Sequence, residues 1–165
     1  MELQEFIKET LVQIGKWDKS NLQDLSKKSI SYGIVQTGNT IENGVPCLRV
    51  IDLTKDEIIV DDLITTSEKI SNSYKKTILE EDELMIALRG VIGHTRIVTK
   101  NLVGFNLTRG IARVSPKKKI ISPQFLLKYL NSPKCLKVFD QRKNGSALKE
   151  IPIGELRKIL VEFPS

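Results

Sequence analysis

The chain has 165 residues, 40% of them hydrophobic and 28% charged, a balance that suits one packed domain with a short appendage and excludes global disorder. No apolar run approaches the roughly 20 residues that span a bilayer, and "MELQEFIKET" is amphipathic and acidic rather than a signal sequence, so a cytoplasmic protein without a membrane segment is expected. The net charge of +6 is unevenly spread: residues 1–55 are neutral, residues 56–83 carry three basic and nine acidic side chains, and the chain from 84 onward is net +12. An acidic stretch beside a basic one suggests a polarised surface with a polyanion on its basic side; solvated lysines are the bland alternative.

Leu3, Phe6, Ile7, Leu11 and Ile14 recur at helical spacing, which predicts an amphipathic helix over 2–14 and sets residues 1–16 apart from a domain over 17–165. A short helix with Leu22 and Leu25 is expected behind Ser20 as its cap. From Ile30 to Val114 the pattern becomes β-like, with strands predicted at "YGIVQ", "PCLRVIDL", "EIIVD", "LMIALR", "TRIVTK", "LVGFN" and "GIARVS". "TTSEKISNSYKK" reads as a helical stretch or a polar loop. Ser122-Pro123 and Ser132-Pro133 each place a capping hydroxyl before a proline, so two helices follow closely, with Phe125, Leu126 and Leu130 on the core side of the first and Leu136 and Phe139 on that of the second. Pro152 opens a last helix around "IGELRKI", and "LVEF" closes as a strand. The expected class is α+β: a mixed or antiparallel twisted sheet with peripheral helices.

Cys47 and Cys135 stand alone, without ligand spacing, so buried reduced thiols are expected rather than a zinc site. His94, the single histidine, lies in "MIALRGVIGHTRIV", a hairpin whose glycines form the turn and whose Arg89, His94 and Arg96 point outward near the tip. Residues 84–112 contain no carboxylate or cysteine to orient a catalytic histidine. Methyltransferase, P-loop and metalloprotease motifs are absent, and a nuclease-like acidic pair fits Asp61, Asp62 and "EKI" poorly. No enzymatic activity, metal or cofactor is expected.

Five stretches in order carry a family likeness: "SYGIVQTGNT" with "NGVPCLRVIDL"; "LEEDELMIALRGVIGHTRIV"; "NLTRGIARVSP"; "SPQFLLKYLNSP"; and "NGSALKEIPIGELRKILVEFP". Together they resemble the target recognition domain of type I restriction-modification specificity subunits over roughly residues 17–164. The resemblance implies a mixed α/β domain that reads one half of a split double-stranded DNA site through the major groove, while partner methylation and restriction subunits methylate and cut. A full subunit of that family usually carries two such domains joined by long helices, so this chain is expected to be a half-subunit, a fragment or a free-standing domain.

The contact candidates under that reading are Gln36, Thr37, Asn39 and Thr40 in the glycine-rich loop, Arg89, His94 and Arg96 in the hairpin, Asn106 and Arg109 in "NLTRG", and Arg142, Lys143, Asn144 and Ser146 around the Gly-Ser turn. Guanidinium groups read guanine, and lysines such as those of "SPKKKI" touch phosphate or nothing. Two rivals stay open: a protein-interaction module that kept the fold without DNA binding, whose terminal helix could dimerise or cap a partner, and a nuclease with an unrecognised site.

Overall fold

The computed structural model describes residues 3–5, 16–145 and 148–165; apart from Leu3–Glu5, which are helical, the helix expected over 2–14 lies outside them. In chain order the strands are β1 (Trp17–Asn21), β2 (Ser31–Tyr32), β3 (Val45–Leu48), β4 (Ile64–Thr66), β5 (Leu84–Ala87), β6 (Thr95–Ile97), β7 (Asn106–Leu107), β8 (Ile111–Val114) and β9 (Leu160–Pro164). The helices that follow the first turn of β structure are α1 (Val50–Leu53), α2 (Glu68–Ser73), α3 (Pro123–Leu130), α4 (Pro133–Arg142) and α5 (Ile153–Arg157). β1 and β9 pair as an antiparallel ribbon; a four-stranded antiparallel sheet has the order β2-β8-β5-β6; a mixed three-stranded sheet has the order β4-β3-β7, with β3 and β7 parallel.

The unbroken apolar run "LMIAL" reflects a strand covered on both faces. Leu84, Ile86 and Leu88 join Ala112 and Val114 in one core, against Leu126 and Leu130 of α3, Phe139 of α4, and Leu22 and Leu25. Met85, Ala87 and Ile111 join a second core with Leu48, Leu53, Leu102 and Leu107. Full burial of each such Leu or Ile stabilises by about 1.5–3 kcal/mol, so the central sheet is the rigid frame. On the second face of β8 stands Arg113, 1% exposed. Its Nη1 lies 3.9 Å from Glu83 Oε1, its Nη2 donates to the Lys76 carbonyl, and its Nε and Nη1 have no hydrogen-bond partner. Burial pushes its pKa down, against the nearby Glu83 and Glu80 charges.

Several expected strands are shorter than their sequence pattern. "PCLRVIDL" bends at Arg49, because the buried Asp52 carboxylate accepts from Arg49 N, Nε and Nη2 and winds Val50–Leu53 into a helical turn despite its β-branched residues. "EIIVD" makes a 3₁₀ turn at Val60–Asp62 instead of a strand. "LVGFN" turns through Gly104, with φ of +87°, before β7. Tyr32 ends β2, and beyond it Ile34 makes only a single parallel bridge to Thr108. Ser20 lies in β1, and Leu22–Leu25 form a 3₁₀ turn without a side-chain cap.

"TTSEKISNSYKK" begins in β4, and then Ser67 Oγ accepts from Ile70 N to cap α2. The serine caps of α3 and α4 stand as expected: Ser122 Oγ accepts from Phe125 N at 3.0 Å and Ser132 Oγ from Cys135 N at 3.2 Å. Leu136 faces outward rather than into the core. Both cysteines are free and buried, and burial pushes their thiols up to about 11.

Candidate nucleic-acid interface

The register of the four-stranded sheet gathers its connections at one end. Ala87 pairs with Ile111, Ile86 with Thr95 and Tyr32 with Ala112. The same end of the sheet therefore carries the exit of β5, the entry of β6, the entry of β8 and the exit of β2. Backbone hydrogen bonds stitch the segments there: Leu88 N to Gly110 O at 2.7 Å, Arg109 N to Ile34 O at 2.9 Å, Thr108 N to Leu48 O at 3.0 Å and Ile151 N to Leu88 O at 2.9 Å. Asn144 and Glu150 exchange both backbone bonds, at 2.7 and 2.9 Å, and the bridge of Glu150 to Arg89, with Ile151 N on Leu88 O, joins this segment to the hairpin.

The three polar groups of the hairpin have separate tasks. Arg89 Nη2 lies 3.5 Å from Glu150 Oε2, while its Nε is buried without a hydrogen-bond partner; this arginine braces the hairpin against the Gly-Ser turn. His94 Nε2 meets Leu53 O at 2.9 Å. Arg96 Nη1 donates to Lys55 O at 2.5 Å and Leu53 O at 3.3 Å, and its Nη2 to Asp56 O at 3.4 Å. His94 and Arg96 thus hold the Leu53 carbonyl at the end of α1, which the helix leaves open, and Arg96 also holds those of Lys55 and Asp56 just beyond it. Rather than projecting from the tip, they fasten α1 beside it.

The other candidates divide in the same way. Asn106, 0% exposed, is a correction to the candidate set: its amide donates to Ser71 O, Ser71 Oγ and Tyr74 O, and its Oδ1 accepts from Thr77 Oγ1 and Leu107 N. A side chain so enclosed cannot reach a ligand without unfolding its surroundings. Arg109 is exposed at the β7–β8 turn and makes no ion pair among the described residues. Gln36, Asn39 and Thr40 are exposed and Thr37 is half-buried, its carbonyl accepting from Thr66 Oγ1 at 2.6 Å; Gly38 supplies the positive φ of +70°. Arg142 Nη1 lies 3.5 Å from Glu155 Oε2, and Lys143 pairs with Asp140. Asn144 is exposed. Ser146 lies outside the described residues.

The end of the sheet therefore brings together Arg89, Arg109 and Asn144, with Lys143 and Lys149 bordering a small cavity of ≈ 160 Å³ beside Gly90, while the Gln36–Thr40 loop departs from Ile34, whose carbonyl accepts from Arg109 N, and runs on to Thr66 of β4. His94 and Arg96 support it from behind. Polar-residue reasoning missed Lys149 and the exposed apolar Val35, Ile51 and Val91; a valine between two turn glycines was the available signal for the last. The lysine run 117–119 lies at the opposite end of the same sheet, beyond the Val114 end of β8.

The family model of the type I restriction modification DNA specificity domain matches residues 12–165. The type I restriction enzyme EcoBI specificity subunit of Escherichia coli is 30% identical over 151 residues, which are 90% of this chain and 32% of that protein. The chain thus spans about a third of the length of the curated relative. Three solved structures share the fold. The S subunit of a type I restriction-modification system from M. genitalium has a TM-score of 0.58 at 12% identity, over 90% of this chain and 34% of that one. The HsdS subunit from Thermoanaerobacter tengcongensis has a TM-score of 0.64 at 15% identity, over 96% and 39%. A chain from a study of complex assembly in the type I R-M system has a TM-score of 0.65 at 16% identity, over 98% and 40%.

Proposed function

The chain belongs to the type I restriction modification DNA specificity domain family, and we propose that residues 17–165 act as a non-catalytic, sequence-specific reader of one half of a bipartite double-stranded DNA site. One observation carries the assignment to an end of the molecule: exposed Arg109 stands at the end of the sheet whose hairpin is fixed from behind by His94 and Arg96, and it bonds Ile34, from which the polar loop Gln36–Thr40 departs. A groove-reading surface needs side chains held on a rigid frame, and a guanidinium free of carboxylates can donate two bonds to guanine O6 and N7.

Methylation and cleavage belong, in this reading, to partner methylation and restriction subunits in the cytoplasm, and the N-terminal segment provides self-association. No helix among the described residues is long and apolar enough to cross a membrane. The nuclease reading has no support in the geometry: Asp61 and Asp62 lie on an exposed 3₁₀ turn, with Asp62 Oδ2 3.7 Å from Lys55 Nζ. Selection of bound duplexes from a random pool tests the proposal. Enrichment of one short motif, with no cutting in magnesium and no methyl transfer from S-adenosylmethionine, is the expected result. Failure to enrich any motif at low salt, or turnover by the pure chain, would overturn it.

A further inference from the structure

The reading end carries an apolar feature that its polar residues do not explain. Val91 stands at the apex of the β5–β6 turn, 44% exposed. The turn beneath it is closed by Gly93 N to Ala87 O at 2.8 Å and His94 N to Val91 O at 3.0 Å. Gly93 lies so close to the Phe139 ring that a Cβ there would come within 2.4 Å of Cδ2, and His94 is held by Leu53 O. The apex is therefore fixed in place, and its branched side chain has few rotamers to lose.

Two more exposed apolar side chains lie on segments that meet this end of the sheet. Ile51 follows Val50, whose methyls pack against Gly90 and Gly110. Val35 follows Ile34, whose carbonyl binds the Arg109 amide. The apolar groups are thus single side chains on three separate segments, one of them bonded to Arg109 through Ile34, unlike the continuous apolar area of a protein interface.

We propose that Val91 reads the C5-methyl of a thymine in the major groove, beside a base edge met by Arg109. This rests on the DNA-reading assignment above. The major groove admits a two-stranded β-ribbon, and the thymine methyl is the apolar group it displays, matched by apolar side chains. A solvated turn gains nothing from a valine between glycines, where polar residues are the usual occupants.

The test uses the full chain and the duplex it selects. Each thymine is replaced singly by deoxyuridine, which removes the methyl and nothing else. At one position the wild type should lose affinity roughly four-fold, the equivalent of about 0.8 kcal/mol for one methyl-sized group. Val91→Ala should bind the thymine and uracil duplexes equally at that position, with its melting temperature unchanged, and Val91→Thr should fall between. A uracil scan flat within two-fold, or a Val91→Ala protein that keeps the thymine-to-uracil ratio, would overturn the proposal while leaving the selected motif intact. Absence of any selected motif would instead remove the DNA-reading assignment and this inference together.

Discussion

The two ends of the four-stranded sheet both gather cations, and they differ in what surrounds them. At the proposed reading end Arg109 is exposed and without a carboxylate partner among the described residues. At the far end the lysines meet the acidic run 80–83. Lys28 Nζ lies 2.8 Å from Glu80 Oε1 and 3.0 Å from Glu83 Oε1, and Lys118 Nζ lies 2.7 Å from Asp82 Oδ2. The Lys28 ammonium holds the Glu80 carboxyl below its ordinary pKa. β5 and β8 are antiparallel neighbours, with Leu84 opposite Val114, so the acidic residues just before β5 and the lysines just after β8 emerge at the same edge. The acidic run is therefore met by Lys28 from the neutral segment and, from the basic block, by Lys118 and the buried Arg113, so part of the polarity seen in the sequence is taken up inside the fold. The charge available to DNA depends on which cations lack partners.

The comparison breaks most sharply at Glu83. Its carboxylate, 3% exposed, receives Lys28 Nζ and Glu80 N and faces the buried Arg113. Removing one partner of a buried charged group typically costs about 3–5 kcal/mol, because the other is left uncompensated. Glu83→Ala should lower the denaturant midpoint accordingly and leave the base preference of the remaining folded protein unchanged. A changed preference would mean that the far end also reads DNA.

Arg109→Ala should do the reverse. A bidentate arginine–guanine contact is worth about 1–3 kcal/mol of discrimination, so this variant should flatten one position of the selected motif, with thermal stability within about 0.5 kcal/mol of wild type, as for other exposed substitutions. A stable protein with an unaltered motif would move the readout to Gln36–Thr40 or Asn144.

The difference between the two ends was only partly legible in the sequence. The helices α3 and α4 could be read directly because Ser-Pro capping is local chemistry, and the hairpin because its glycines punctuate two apolar runs. The fates of Asn106, His94 and Arg96 depended on contacts about 30 to 40 residues away in the chain. Asn106 resembled a surface turn residue, but it holds Ser71, Tyr74 and Thr77 inside the fold. His94 and Arg96 resembled ligand contacts and instead bind carbonyls of residues 53–56, whose position depends on α1, a helical turn hidden in a β-rich pattern.

Arg96 sharpens the comparison within the reading end, separating support from contact. Its guanidinium satisfies three carbonyls after α1, and a hydrogen bond from a charged group contributes about 1.5–3 kcal/mol at most. Since Lys55 and Asp56 are partly solvated, so that water replaces the lost donor there, and the Leu53 carbonyl keeps His94, Arg96→Ala should cost about 1 kcal/mol in stability and weaken binding to every sequence alike. Loss of preference at one base pair would show that Arg96 leaves these carbonyls to read DNA.

The smallest effect is expected from changing Lys117, Lys118 and Lys119 together to glutamine. From Arg109 along β8 to this run the backbone extends roughly 25 Å at about 3.3 Å per residue, about three times the Debye length of about 8 Å at physiological ionic strength. A duplex lying on the reading end is thus screened from these lysines, and Lys118 already serves Asp82. Each phosphate contact contributes about 0.9 to the slope of log K against log salt, so three lost contacts would reduce it by nearly three. The triple variant should leave the slope unchanged within about 0.5, well below that step. A reduction by two or more would place DNA across the far end and end the distinction between a reading end and a neutralised one.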